Sequence, residues 1–232
     1  MKIREYENLI IEKLKIVIDK IIEDNPNLTI SAKARAGAEI SDWIEEQFVE
    51  HTKNHQYFED SESAPKASTK NPWDARTIFK LNGIKEELWI DFKAFKVTSV
   101  NSNPDIGTPN KIVKLINDGN FYHVFIYIFY QATDTGLEFV KLNDSLSKLY
   151  FLKDISSTFR RNPKNQLQVN ISALPEYRTR EEFIKILITK IKESHVRQMK
   201  ISTKALENID QIENELLKSN KKSENEIIKK LK

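Results

Sequence analysis

The amino-acid sequence predicts an α/β domain with a mixed central β-sheet flanked by helices, and two observations carry this prediction. Residues 75–81 and 84–97 have the composition of β-strands, and they flank Asn82-Gly83, the pair best suited to a type I′ turn. They therefore predict a β-hairpin. The run at residues 121–130 is aromatic, β-branched and almost continuously apolar, which is typical of a central strand covered on both faces.

Helices are predicted on either side of these strands. Apolar residues recur at helical spacing over residues 6–21, and a second amphipathic helix begins near Ser31. A third helix lies within residues 108–119, where a threonine, a proline and a final glycine supply its start and stop signals. Thr179 and Glu182 form a capping box that begins a long helical C-terminal region. The apolar face of the second helix consists of Ile40, Trp43, Ile44 and Phe48.

The remaining segments predict a loop and two short strands. Residues 59–72 are rich in serine, proline and charge, so they predict a surface loop. Residues 137–142 and 166–172 predict short strands. A stretch rich in lysine, arginine and asparagine separates them.

Length and composition favour one folded domain. With 232 residues, the chain can bury one substantial core. It is 39% hydrophobic and 31% charged, which is too hydrophobic for a disordered chain. We expect a single domain over residues 1–232, with a core at about 31–175, C-terminal helices at about 179–220 and a tail at 221–232 that can fray.

Composition also excludes several function classes. The chain has no cysteine, which excludes disulfides, thiolate nucleophiles and cysteine-ligated zinc. It has only five glycines and no glycine-rich phosphate loop, which argues against nucleoside triphosphate chemistry. The net charge of +3 permits a nucleic-acid partner without demanding one. Neither a signal peptide nor a membrane span is predicted, so we expect a cytoplasmic protein without a membrane partner.

The predicted hairpin brings two aspartates together. With a two-residue loop at Asn82-Gly83, the simplest register places Asp74 opposite Asp91. Directly opposed residues have Cβ atoms about 4.5–5.5 Å apart and point to the same face of the sheet. The two carboxylates can therefore share a divalent cation.

A lysine lies on the same face of the hairpin. Period-two alternation places Lys93 beside Asp91, while Phe92 between them points to the apolar face. Two carboxylates and one lysine on one face suit phosphodiester hydrolysis. Carboxylate oxygens hold Mg²⁺, which polarises the phosphate and activates a water, and the ammonium stabilises developing charge.

A less specific interpretation of the same residues is a surface ion pair. In a chain that is 31% charged, an aspartate followed by Asp-x-Lys often occurs by chance. Asp91 and Lys93 on a half-exposed strand would contribute at most about 1 kcal/mol. That interpretation does not explain why Asp91 is embedded among apolar residues, or why the register brings Asp74 to the same place.

The residues around this constellation resemble a known signature. KNPWDARTIF followed by ELWIDFKAFK resembles the PD-(D/E)xK signature of type II restriction endonucleases. The preceding SAKARAGAEISDWIEEQF resembles their first core helix, which is rich in alanine and glycine and bears a glutamate. The resemblance spans roughly residues 31–130. It departs from the signature in one place, because Trp73 intervenes between Pro72 and Asp74.

The resemblance implies a fold, an activity and roles for particular residues. It implies a restriction-endonuclease-like fold, Mg²⁺-dependent cleavage of double-stranded DNA at specific sites, a homodimer and a companion DNA methyltransferase. Asp74 and Asp91 would be metal ligands, and the Phe92 carbonyl a further ligand. Lys93 would lie beside the attacking water, and Glu39, which borders the apolar face of its helix, would be an auxiliary acid.

Several polar residues are candidates for DNA contacts. They lie in the segments before, between and after the predicted strands, where solvated loop is the alternative interpretation for each. We assign no role to the four histidines, and His123 within the apolar strand is interpreted as a core residue. The candidate DNA contacts are Lys66, Lys70, Asn101, Asn103, Arg160, Arg161 and Lys164.

Two other functions remain open on the sequence alone. One is a structure-specific or repair nuclease with the same fold. The other is a catalytically inactive DNA-binding protein. A cleavage pattern that depends on DNA sequence separates the first from a restriction enzyme, and the effect of Asp91→Ala on activity separates the second.

Overall fold

A computed structural model of the protein describes residues 1–29, 36–65, 71–99, 101–119, 121–134 and 136–231. Within these residues, strands form one large mixed sheet and one small sheet, and helices flank the large sheet. This confirms the predicted fold class. The helices are α1 (Ile3–Asp24), α2 (Ala36–Thr52), α3 (Pro109–Asn117) and α4 (Arg180–Leu231).

The large sheet contains seven strands in the order β1-β7-β6-β4-β3-β2, and β8 also pairs with β6. The pairing of β4 with β6 is parallel, and the other pairings are antiparallel. The small sheet has the antiparallel order β5-β10-β9. The strands are β1 (Asn27–Leu28), β2 (Phe58–Ser63), β3 (Ala75–Leu81), β4 (Ile84–Lys96), β5 (Asp105–Gly107), β6 (His123–Ala132), β7 (Leu137–Phe139), β8 (Ser147–Phe151), β9 (Arg160–Arg161) and β10 (Leu167–Gln168).

The hairpin of β3 and β4 has the predicted register. Leu81 lies opposite Ile84, and the pairing continues without interruption to Ala75 opposite Ile90. Asn82 and Gly83 have φ angles of 51° and 80°, as a type I′ turn requires at both central positions. An Asn-Gly pair adopts such angles with little strain, so the local sequence determines the register of this hairpin.

The central strand is β6, and it is buried as predicted. Residues 123–129 are all buried, and β6 lies between β4 and the strands β7 and β8. The strand begins two residues later than residue 121, where the sequence predicts its start. On one face of the sheet, α2 packs against β4, with the rings of Phe48 and Phe92 5.9 Å apart.

The prediction that residues 59–72 form a surface loop is wrong for residues 59–63, which belong to β2. Phe58 is buried at the start of this strand, and its ring packs 5.6 Å from that of Phe79. Glu59 forms an ion pair with Lys80 on β3 at 3.1 Å. Charged residues are common on edge strands, so the same composition that suggests a loop also suits the edge of a sheet. Residues 66–70 lie outside the described residues.

The predicted capping box begins α4. The Thr179 N–H donates to Glu182 Oε2 at 2.7 Å, and the Glu182 N–H donates to Thr179 Oγ1 at 3.2 Å. The tail predicted to fray is helical to Leu231, because its lysine, glutamate, isoleucine and leucine residues favour a helix. Contacts divide the chain into two compact units, Met1–Lys185 and Ile186–Lys232. None of the described helices has the length and apolar composition needed to cross a membrane.

Candidate active site

Asp74 immediately precedes β3 and is fixed against β4 by two hydrogen bonds. Its N–H donates to the Ile90 carbonyl at 2.8 Å, just beyond the last pair of the hairpin, Ala75 opposite Ile90. Its Oδ2 accepts from the Phe92 N–H at 2.7 Å. These two bonds hold Asp74 against β4 at Ile90 and Phe92, the two neighbours of Asp91.

Asp91 and Lys93 lie on the face of β4 opposite the core. The core side of the strand carries Ile90 and Phe92, which are buried, while the side chains of Asp91 and Lys93 are 14% and 27% exposed. Lys93 Nζ forms an ion pair with Asp91 Oδ1. The structure therefore brings Asp74, Asp91 and Lys93 together, as the sequence predicts.

These three residues line one cavity of about 190 Å³. The hairpin provides one wall, and β5, the start of α3 and the start of β6 provide others. Lys111, Asp105, His123 and Gln166 are among the lining residues that the sequence did not indicate. The topology brings these residues to the cavity, and no local pattern marks them.

Burial and neighbouring charges shift the pKa values of the titratable groups in the cavity. Burial, assisted by the neighbouring Asp91 carboxylate, raises the pKa of Asp74 to about 6. Burial also raises the pKa of Asp91, although Lys93 and Lys111 oppose the shift. Burial acts to lower the pKa of Lys93, but the nearby carboxylates, Asp91 foremost, together raise it. Lys93 therefore keeps its charge beside the two acids.

Asp74 and Asp91 are the residues that could hold a divalent cation. Two closely spaced, buried carboxylates are stabilised when a cation lies between them, and oxygen is the ligand that Mg²⁺ prefers. No cluster of three or more histidine, cysteine, aspartate or glutamate residues suited to a metal occurs within the described ranges. A site with two protein carboxylates still fits Mg²⁺, which is usually bound by one or two carboxylates together with water and phosphate oxygens.

The Phe92 carbonyl, predicted as a further ligand, accepts a hydrogen bond from the Ser41 hydroxyl of α2 at 3.3 Å. This contact identifies the face of α2 that lies against β4. Glu39 is half-buried and is not among the residues lining the cavity, so its role stays a prediction. Glu39 and Glu45 are about 120° apart around the helix and about 9 Å apart along it.

Glu45 is an acidic residue that the sequence interpretation missed. Burial raises the pKa of Glu45 to about 7, hydrogen bonds from Ser63 and the Ala64 N–H oppose the shift, and the charge of Asp74 adds to it. Glu45 lies one turn after Ser41, on the side of α2 that contacts β4. The spacing of Ser41 and Glu45 could have indicated this position once the strand-facing side of the helix was known.

The small sheet places several candidate DNA contacts near the cavity. Gln168 Nε2 donates to Asp105 Oδ1 at 2.7 Å, and Asp105 lines the cavity. The hairpin of β9 and β10 carries Arg160 and Arg161, and Lys164 is exposed in its turn. Arg160 is exposed and Arg161 is half-buried.

The loop that contains Asn101 and Asn103 is joined to the segment that follows the small sheet. Asn101 and Asn103 are exposed, and the Asn101 carbonyl accepts from Asn170 Nδ2 at 3.2 Å. The loop therefore lies beside the segment that follows β10. Lys66 and Lys70, also predicted to contact DNA, lie outside the described residues.

Together, the fold and the cavity define an α/β protein with a carboxylate and lysine site on its central sheet. The family model described as SwaI-like, SwaI restriction endonuclease, matches residues 2–209. The chain therefore belongs to the SwaI-like restriction endonuclease family. This confirms the predicted class of restriction endonucleases, whereas the PD-(D/E)xK assignment stays a prediction.

The other comparisons concern curated and solved proteins. NlaIV restriction endonuclease has a similar solved structure, with a TM-score of 0.45 and 13% sequence identity. The similarity covers 82% of this chain and 80% of that chain. A comparison with curated proteins gives no significant match.

Proposed function

We propose that the protein is a type II site-specific endodeoxyribonuclease that hydrolyses phosphodiester bonds of double-stranded DNA with Mg²⁺. The observation that carries the proposal is the convergence of Asp74, Asp91 and Lys93 in one cavity of a chain that belongs to a restriction endonuclease family. On this proposal, Asp74, Asp91 and Lys93 are the three residues of a PD-(D/E)xK site.

The two aspartates have one task in this proposal, and Lys93 has another. Asp74 and Asp91 would hold the cation, and the hydrogen bond from the Phe92 N–H orients the Asp74 carboxylate. A bound Mg²⁺ supplies Lewis-acid polarisation of the phosphate and lowers the pKa of a bound water. Lys93, charged and held by Asp91, stabilises negative charge that develops at the phosphate.

Three further groups are proposed to assist. Glu39 was predicted as an auxiliary acid, and the Phe92 carbonyl as a further metal ligand. Glu45 has stronger structural support than Glu39, because the charge of Asp74 acts on Glu45. Its raised pKa suits a group that exchanges a proton near neutral pH.

Removal of the metal tests the proposed function. Phage DNA incubated with the wild-type protein and Mg²⁺ is expected to give discrete fragments, and an excess of chelator is expected to abolish them. The physical reason is that two uncompensated carboxylates repel the scissile phosphate when no cation lies between them. A continuous smear with Mg²⁺ would point to a nuclease without sequence specificity, and fragments that persist with chelator would contradict the metal requirement.

The hairpin of β9 and β10 is proposed to contact the DNA backbone. Arg160→Ala and Lys164→Ala should each weaken DNA binding across different sequences, and each should reduce the slope of log K against log salt by about 1. Fluorescence anisotropy with Ca²⁺ in place of Mg²⁺ measures the dissociation constant without relying on cleavage.

A lysine at the far end of the β3–β4 hairpin provides the matched control. Lys85 lies next to the Asn82-Gly83 turn, several residue pairs away from Asp91. Lys85→Ala should leave both the affinity and the salt slope unchanged. Equal losses in Lys85→Ala and Arg160→Ala would show that the effect is general charge removal and not a contact of this hairpin.

We also propose a homodimer, since a two-fold protein matches a palindromic DNA site with one active site for each strand. The C-terminal helix supports this proposal because it exposes a set of apolar side chains. A companion DNA methyltransferase would protect the DNA of the cell from the proposed activity. The exposed apolar residues of the helix include Leu206, Ile209, Ile212 and Leu216.

A further inference from the structure

His123 is the first residue of β6 and lines the active cavity. In the parallel pairing of β4 with β6, His123 lies beside Trp89 and Phe125 lies beside Asp91. Residues paired in this way point to the same face of the sheet. His123 therefore lies on the same face as Asp91, one strand away from it and two residue pairs before it.

The imidazole of His123 is buried without a hydrogen-bond partner. The residue is only 5% exposed, and neither ring nitrogen has a partner among the residues that the structure describes. Such a buried polar group destabilises the folded protein when it is left unsatisfied. The ring stacks on Phe125, with ring centroids 4.9 Å apart, so its position is fixed from one side.

The other properties of His123 suit a neutral hydrogen-bonding group. Burial, with the charge of Lys93 as a smaller cause, lowers the pKa of His123 to about 3. A neutral imidazole offers one donor and one acceptor. The described residues contain no three-residue metal cluster, so direct metal coordination by His123 together with Asp74 and Asp91 is not supported.

We infer that His123 is a catalytic residue whose imidazole forms a hydrogen bond to an oxygen of the reacting groups, either a phosphate oxygen of the DNA or the attacking water. This inference rests on the proposed nuclease function. Asp74, Asp91 and Lys93 bring those oxygens into the same cavity, and the unpaired ring nitrogens of His123 face no competing protein partner in the described part of the chain. The hydrogen bond missing from the folded protein would then form when substrate binds.

The variant His123→Leu separates catalysis from folding. Its single-turnover cleavage rate should fall roughly 10- to 100-fold, since a donor to a reacting oxygen is lost. Its thermal midpoint should be unchanged or higher, because the substitution removes a buried polar group that has no partner in the folded protein. His123→Gln keeps a donor and an acceptor and should recover part of the rate.

A second histidine provides the control. His55 is half-buried and is not among the residues lining the cavity, so His55→Leu should cleave at the wild-type rate.

The affinity for DNA in Ca²⁺ distinguishes a contact of His123 with the phosphate oxygen from a contact with the attacking water. Weaker binding by His123→Leu indicates a contact with phosphate, and unchanged binding with a slower rate indicates a contact with the attacking water.

Two results would overturn the inference. One is wild-type cleavage by His123→Leu. The other is a rate loss that parallels a fall in thermal midpoint and that His123→Gln does not relieve, which is the behaviour of a core residue. Both results leave the proposed nuclease function intact, whereas a wild-type protein that cleaves no DNA under any divalent cation overturns the function and the inference together.

Discussion

Asp74→Asn is expected to lower the rate of DNA cleavage roughly 10²- to 10⁴-fold, while the thermal midpoint stays the same or rises. The rate falls because the cation loses a charged ligand, and metal activation contributes several kcal/mol to such reactions. Stability does not fall, because the Asp74 carboxylate is buried beside Asp91 and repelled by it. Single-turnover cleavage and thermal unfolding measure the two effects.

Lys93→Ala and Asp91→Ala should also inactivate DNA cleavage, because they change the other two residues of the proposed site. Because the three residues act as a unit, combining Asp74→Asn with Asp91→Ala should lower the rate little further than either change alone. Multiplicative losses would show that the two aspartates act independently, which would contradict a shared cation.

Two matched variants control for general effects of these substitutions. Asp144→Asn makes the same chemical change at an exposed turn residue, and Lys96→Ala removes a lysine at the exposed end of β4. Both should retain the wild-type cleavage rate. If Asp144→Asn were as inactive as Asp74→Asn, the loss could not be assigned to the cavity.

Lys153→Met is expected to destabilise the protein by about 3–5 kcal/mol, which corresponds to a fall in thermal midpoint of roughly 6–20 °C. Lys153 is 1% exposed, and its Nζ lies 3.0 Å from Glu7 Oε2 and 2.9 Å from Asp154 Oδ1. It also donates to the Arg178 carbonyl at 2.8 Å. The substitution would leave the buried carboxylate of Glu7 without its ion-pair partner.

An exposed ion pair provides the comparison for this prediction. Lys20 and Asp24 pair at 2.9 Å on the surface of α1, so Lys20→Met should change stability by less than about 1 kcal/mol. Adding Glu7→Leu to Lys153→Met should recover part of the loss, because a buried ion pair can often be replaced by apolar side chains. Equal midpoints for Lys153→Met and Lys20→Met would show that the buried network contributes nothing.

The sequence predicts best those features that local chemistry determines. The Asn82-Gly83 turn determines the register of the hairpin, and the register then places Asp74 beside Asp91. The apolar run of β6 can be recognised as a buried strand without knowing which strands pair with it. The capping box at Thr179 and Glu182 depends only on residues three positions apart.

The features that the sequence did not predict depend on distant pairings. β2 resembles a charged loop until β3 provides the partners of Glu59 and its neighbours. A short strand was predicted around β10, but β5 and β9, which pair with it, have too few residues to show a period. His123 was interpreted as a core residue, and only the parallel pairing of β4 with β6 shows that it lies on the same face as Asp91 and Lys93.

The central claim is that Asp74 and Asp91 share a divalent cation in the cavity. A crystal structure with DNA and Mn²⁺, with anomalous scattering used to locate the metal, tests it most directly. A peak about 2.0–2.4 Å from an oxygen of each carboxylate and in contact with a DNA phosphate is the predicted result. A metal bound elsewhere, or a phosphate that binds in the cavity without a metal between the two aspartates, would contradict the claim.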